Sequence, residues 1–205
     1  MYKDLMDKKD KIDYVSEIRR LKEEKNAIIL AHYYQTGDIQ DIADFIGDSL
    51  ALSQKASSNS AGIILFAGVR FMAETAKILS PDKKVLIPDM NAGCSLADSC
   101  NAGDFKRFID ENPGRTVVTY VNTNIDVKVL SDIICTSSNA IQIIESLPAG
   151  EKILFAPDRN LGNYILNKTG RDIVVWNGAC HVHEEFSLEA ILKLKEENRG
   201  AKIIV

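Results

Sequence analysis

The chain runs through one pattern twice, and that repetition limits its fold more than any single residue does. AIILAHYYQTGDIQDIADFIGDSLALS starts at Ala27, and TVVTYVNTNIDVKVLSDIICTSSNAIQ starts 89 positions later at Thr116. Each opens as an apolar strand and runs into polar residues at the strand end. Each then passes through a helical stretch and a short apolar segment (FIG or IIC) to a Ser-bearing turn (GDS or TSS). IILFAGVR at 63–70 pairs with KILFAPDR at 152–159, again 89 apart. KKVLIPDMNAGC, ending at Cys94, pairs with RDIVVWNGAC, ending at Cys180, 86 apart. Self-similarity at such a period marks one supersecondary unit used more than once.

By periodicity each unit reads strand, helix, short strand, helix, strand, helix, strand, with a cysteine just past its last strand. Alternating strands and helices predict a parallel sheet covered on both faces. The predicted fold class is therefore α/β, with pseudo-repeated three-layer αβα units. AKIIV at 201–205 lies 86 residues after RTVVT at 115–119, so the same step makes it the first strand of a third unit. The expected boundaries are 1–113 for the first unit with its N-terminal helix, 114–199 for the second, and 200–205 for the opening of the third. An edge strand closing the second unit is the alternative for that last segment. Ahead of the repeat, Ile12, Val15, Ile18 and Leu21 recur every three residues, the apolar stripe of a helix packed on the first sheet. Lys22, Glu23, Glu24 and Lys25 form its solvated side.

Composition excludes several classes. Hydrophobic residues make up 45% of the chain, and a net charge of −4 is spread over 25 basic and 29 acidic residues without blocks, so no polyanion-binding face is expected and nucleic acid is not a predicted partner. The first 27 residues contain no apolar signal core, and no apolar run of membrane-spanning length occurs, so a cytoplasmic protein without a membrane partner is expected. Four cysteines are too sparse for a disulfide framework; ligation or redox chemistry suits them better.

In open parallel sheets, ligands bind beyond the carboxyl ends of the strands. His32, Tyr33 and Tyr34 follow the first strand, and Tyr120, Val121 and Asn122 follow its mate. Ser49 and Ser137 stand at two expected helix starts, where a hydroxyl caps backbone N–H groups and the same geometry accepts phosphate or carboxylate; Ser138 competes with Ser137. Cys94 and Cys180 occupy equivalent places behind Gly93 and Gly178, whose missing side chains permit close backbone approach. Cys135, inside an apolar run, reads as a buried hydrophobe, and Cys100 as a helix or loop residue with at most a minor redox role. A thiolate pair from two pseudo-symmetric units fits a shared metal centre, a 4Fe–4S cluster with one open iron being one form. Zinc held by Cys180, His181 and His183 is another, and the lack of a histidine near Cys94 weighs against it.

AHYYQ (31–35), GDSLALS (47–53), FAGVRFMAETAKIL (66–79), PDMNAGCSLADSC (88–100), YVNT (120–123), CTSSNA (135–140), FAPDRNLG and WNGACHVHE together resemble quinolinate synthase, from about residue 26 to 205. The resemblance implies three pseudo-symmetric α/β units around a 4Fe–4S cluster held by one cysteine from each. It implies an enzyme of NAD biosynthesis that condenses iminoaspartate (iminosuccinate) with dihydroxyacetone phosphate to quinolinate, supplied by an upstream L-aspartate-oxidising enzyme. Carried over by position, Cys94 and Cys180 are cluster ligands, and His32, Ser49, Tyr120, Asn122 and Ser137 bind substrate. Tyr34 and His32 are the catalytic candidates. The family's third cysteine and a His-Pro-Glu segment fall past Val205, so the 205-residue chain is expected to be inactive alone. An anion-binding module without catalysis and a homodimer across the third-unit face are the competing readings.

Overall fold

Two parallel four-stranded sheets organise the chain, one in each of two compact units, residues 1–92 and 93–205. The computed structural model describes residues 13–203. The first unit contains α1 (Tyr14–Glu24), β1 (Ala27–His32), α2 (Gly37–Ile42), β2 (Phe45–Gly47), α3 (Ser49–Ser58), β3 (Ile63–Ala67), α4 (Arg70–Leu79) and β4 (Lys84–Leu86). The second contains α5 (Ser95–Asp98), α6 (Ala102–Glu111), β5 (Thr116–Tyr120), α7 (Ile125–Lys128), β6 (Ile133–Cys135), α8 (Ala140–Ser146), β7 (Ile153–Ala156), α9 (Arg159–Thr169), β8 (Ile173–Val175), α10 (His181–Glu184) and α11 (Leu188–Glu197).

The strand orders are β2-β1-β3-β4 and β6-β5-β7-β8, all pairs parallel, as the repeated α/β pattern predicts. Central strands of such sheets are apolar on both faces because helices cover both. In the second unit Val118, Phe155 and Ile153 pack with Ala140 and Ile144 of α8 and Ile165 of α9. Val117 and Leu154, whose side chains alternate to the other face, pack with Phe105 of α6 and Val127 of α7. In the first unit Leu30, Ile64 and Phe66 are buried, as are Leu52 and Ala56 of α3 and Phe71 and Ala76 of α4. Gly162 lets α9 lie close on β8: a Cβ there would stand 2.5 Å from Val175 Cγ1.

The compact units divide at 92/93, and α6 packs on the second sheet, with Phe105 fully buried against Val117 and Leu154. α6 precedes the first strand of its unit as α1 precedes that of the first. The structure corrects two expectations. First, Lys22 is not solvated; it is half-buried, and its Nζ donates to Asp44 Oδ1 at 2.7 Å. Second, the step between the first strands is 88 rather than 89. Asp44 accepts the Ile29 N–H at 2.8 Å, and Asp132, 88 residues on, accepts the Val117 N–H at 2.8 Å. The step becomes 89 at β3 and β7, where Phe66 and Phe155 sit opposite Leu30 and Val118, and 86 from the cysteines onward.

The N-terminal helix starts at Tyr14, capped by Asp13, whose carboxylate accepts the Ser16 N–H at 3.2 Å. Ile12 lies outside the described residues. Val15 and Leu21 remain 42% and 38% exposed, so this stripe covers the sheet only in part. At the other end α11 buries none of its residues, and Leu188 is 71% exposed. Ala201–Ile203 join neither sheet, and Ile204 and Val205 of the expected third-unit strand lie outside the described residues. Among the described residues no helix is long and apolar enough to cross a membrane.

Candidate functional site

The predicted site residues cluster at the carboxyl ends of the central strands, separately in each unit. In the first, β1 ends on His32, which lies in register with Gly47. His32 is only 5% exposed, and its Nδ1 accepts the Tyr34 N–H at 3.3 Å, leaving Nε2 to carry the proton of the neutral ring. Burial lowers its proton affinity, and the Asp48 carboxylate works against that. The Tyr34 ring stands 4.1 Å from the imidazole with its side chain largely in solvent. The cap of α3 is Asp48, whose carboxylate accepts the Ala51 N–H at 2.8 Å. Ser49 is the first residue inside the helix, so its hydroxyl is not used as the cap.

In the second unit Tyr120 ends β5, half-buried against the core, and the Val121 N–H donates to the Cys135 carbonyl at 2.8 Å. Ser137 does not begin a helix. It sits in an exposed turn, and α8 starts at Ala140 behind Asn139, whose Oδ1 accepts from the Thr136 N–H and hydroxyl at 2.7 and 3.1 Å. Ser138 is tied to the Thr136 hydroxyl at 2.9 Å. The 88-residue step makes Ser137 the counterpart of Ser49, Tyr120 that of His32, and Asn122 that of Tyr34.

Cys94 and Cys180 occupy equivalent positions, each half-buried, each the N-cap residue of a one-turn helix. Asn122 Nδ2 lies 4.0 Å from Cys94 Sγ, and Ser95 Oγ lies 4.0 Å from Cys180 Sγ. Both sulfurs therefore belong to one neighbourhood of the second unit, with Ser95, the residue after one cysteine, touching the other. Asn122 Oδ1 is buried without a hydrogen-bond partner. Such an atom costs roughly 1–3 kcal/mol unless a ligand or a water supplies a donor. Gly178 fulfils its expected role: a Cβ there would stand 2.4 Å from the Pro157 carbonyl and 2.5 Å from Ser99 Oγ.

The other two cysteines differ in kind. Cys100 and Cys135 are buried in the two apolar clusters, and burial pushes both thiols up to about 12. Neither suits ligation. Among the described residues no three His, Cys, Asp or Glu side chains converge on a metal-holding position, and His181 and His183 point into solvent from α10. The zinc alternative gains nothing from this arrangement. Cys94 and Cys180 fit two ligands of a thiolate-bound centre, with weak donors beside both sulfurs, and do not complete a three-cysteine set.

Several supporting residues escaped the sequence reading. Trp176 Nε1 donates to the Ser99 carbonyl at 3.1 Å. Buried Lys128 donates to the Thr123 carbonyl, and the Thr123 hydroxyl donates to the Tyr120 carbonyl at 3.3 Å, which holds the loop bearing Asn122. Glu184 accepts from Asn160 and Arg159 at 2.8 and 2.6 Å, and these bonds hold its carboxyl below the usual range. An open apolar hollow of about 340 Å³ under α1 and α2 holds none of the predicted site residues.

A family profile described as Quinolinate synthetase A protein matches residues 16–205. The chain is 59% identical over 192 residues to a quinolinate synthase of Microcystis aeruginosa, covering 94% of this chain and 60% of that protein. It is 59% identical to one of Rippkaea orientalis over 94% and 59%, and 53% identical to one of Chloroherpeton thalassium over 94% and 60%. The chain thus spans about 60% of the length of the curated relatives it matches. On the extent and identity of these matches, it belongs to the quinolinate synthetase A family.

Proposed function

We propose that this chain is the two-unit part of a quinolinate synthase, the enzyme that condenses iminoaspartate with dihydroxyacetone phosphate in NAD biosynthesis, fed by an L-aspartate-oxidising reaction. The observation that carries the reading is the pair of half-buried cysteines at equivalent helix starts, sharing Ser95 as a neighbour. Cys94 and Cys180 would hold two irons of a 4Fe–4S cluster, which when bound supplies a Lewis acid for the departing hydroxyl.

The chain's own residues account for the rest. Asn122 presents a buried amide oxygen without a protein donor and an N–H group beside Cys94, suited to orienting a polar group of the amino-acid-derived substrate. Ser49 and Ser137 keep hydroxyls that no described residue engages, suited to carboxylate or phosphate. His32, neutral and with Nε2 unspent, and Tyr34, with its phenol in solvent, would move protons.

The helices α1, α6 and α11 begin at residues 14, 102 and 188, each in the same place of the repeat. Since α6 buries Phe105 on the sheet that follows it, the exposed apolar face of α11 is read as the seat of a further α/β unit, for which the longer relatives have room.

Anaerobic reconstitution with iron and sulfide tests the proposal. The chain should take up iron and sulfide together, and the Cys94→Ser, Cys180→Ser double variant should take up none. Equal iron in both proteins would sink the ligand assignment. Binding of an anionic metabolite unaffected by iron or oxygen would favour the module without catalysis.

A further inference from the structure

We infer that Trp176 is a positioning residue that fixes the separation of the Cys94 and Cys180 sulfurs; the inference rests on the reading of these two as ligands of one centre. Cys94 and Cys180 are 86 residues apart in sequence, so something must hold their segments together in space. The structure places that task on α5. At its start stand Cys94 and Ser95, whose hydroxyl reaches Cys180 Sγ at 4.0 Å. At its end stands Ser99, whose carbonyl accepts the Trp176 indole N–H at 3.1 Å. Trp176 lies four residues before Cys180, so its hydrogen bond ties the Cys180 segment to the far end of the helix that Cys94 begins.

The indole is itself held. It meets Phe105 and Phe108 edge-on at ring-centroid distances of 5.8 and 5.2 Å, the arrangement favoured by the charge distribution of aromatic rings. Gly178, two residues further on, presses its backbone against Ser99 Oγ and the Pro157 carbonyl, and the Arg159 N–H donates to the Gly178 carbonyl at 2.8 Å. The run from Trp176 to Cys180 is therefore fastened to Ser99 on one side and to the start of α9 on the other. Backbone bonds hold this run to β7 and α9, the Trp176 N–H donating to the Phe155 carbonyl at 2.8 Å, and the indole N–H is the directional bond that ties it to α5. A ring of the same shape without the donor would keep the packing and lose the registration of one thiol against the other.

Cadmium binding under anaerobic conditions provides the test, because thiolate-to-metal charge-transfer absorption counts the sulfurs on each bound ion. Wild type is expected to bind Cd²⁺ through two thiolates, with the signal reduced in C94S and in C180S. Trp176→Phe should bind about tenfold more weakly and with less charge-transfer intensity per ion, in the range seen when residues supporting metal ligands are removed. Trp176 is the sole tryptophan, so uniform replacement of tryptophan by benzothienylalanine alters this site alone and keeps the ring shape if the Phe variant does not fold. Azatryptophan, which retains the N–H, should restore binding. Cadmium affinity and intensity unchanged in a folded donor-less protein would overturn the positioning role while leaving the ligand pair intact. Absence of a thiolate signal in wild type would overturn the ligand pair and this role with it.

Discussion

Asp44 and Asp132 perform the same task 88 residues apart: each carboxylate accepts the N–H of a first-strand residue at 2.8 Å, and each backbone N–H returns a bond to that residue's carbonyl at 2.9 Å. The paired bonds pin the turn before the short edge strand to the central strand, and they set the offset between the units. Removing the Asp132 carboxylate orphans the amide of Val117, a buried residue. Asp132→Ala should therefore lower stability by about 1–3 kcal/mol, read as a shift in the urea midpoint, and Asp132→Asn by less. No shift with Ala would mean that water replaces the carboxylate.

Gly178 should be the least replaceable glycine of the second unit. A methyl group there meets backbone oxygen at 2.4 Å, whereas nothing lies within 4 Å of a Cβ at Gly150. Gly178→Ala should cost about 1–3 kcal/mol and weaken iron uptake together, while Gly150→Ala stays near neutral. Equal melting temperatures for the two variants would show that the Cys180 segment yields freely.

His32 should make the first unit less stable in acid. Burial holds its folded pKa below the ordinary value of 6.5, so near that value the unfolded chain binds a proton that the folded chain refuses. Its contribution is fully present above pH 6.5 and is lost as the pH falls from there toward the folded value. Urea midpoints between pH 7.5 and 5.5 should fall less steeply for His32→Gln than for wild type. Parallel curves would assign the acid loss to other groups.

The four cysteines should separate into two pairs on alkylation of the native chain. Cys94 and Cys180 are reachable, while Cys100 and Cys135 are buried with thiols pushed up to about 12. Mass mapping should find iodoacetamide on the first pair well before the second. Early labelling of Cys100 would contradict its burial in the cluster that contains Phe105 and Leu154.

The parts of this fold legible from sequence were those written in contiguous residues. The runs AIILAH and TVVTY announce buried strands, and Cys94 and Cys180 announce their equivalence by their place after the last strand. The offset of 88 was not legible, because Ala27 and Thr116 look alike as strand starts and only the bonds of Asp44 and Asp132 fix the register. Ser49 looked like a cap because hydroxyls often are, but the preceding Asp48 takes that position. Trp176 gave no sign of its partner, since Ser99 lies 77 residues away and accepts through its backbone, which every residue possesses.

Asn122 offers the sharpest separation of function from stability. Its amide oxygen is buried without a donor from the protein, so a ligand group that donates there satisfies a desolvated polar atom. Replacing it by an apolar side chain of similar size removes that penalty. Asn122→Leu should leave the urea midpoint unchanged or raise it by up to about 1 kcal/mol, because deleting an unpaired polar group is near neutral or stabilising. The same substitution should weaken binding of a dicarboxylate such as oxaloacetate, tested as a stand-in for the imino acid, by about tenfold. A destabilised Asn122→Leu would mean that the Nδ2 contact with Cys94, rather than a ligand, is what the amide is there to make.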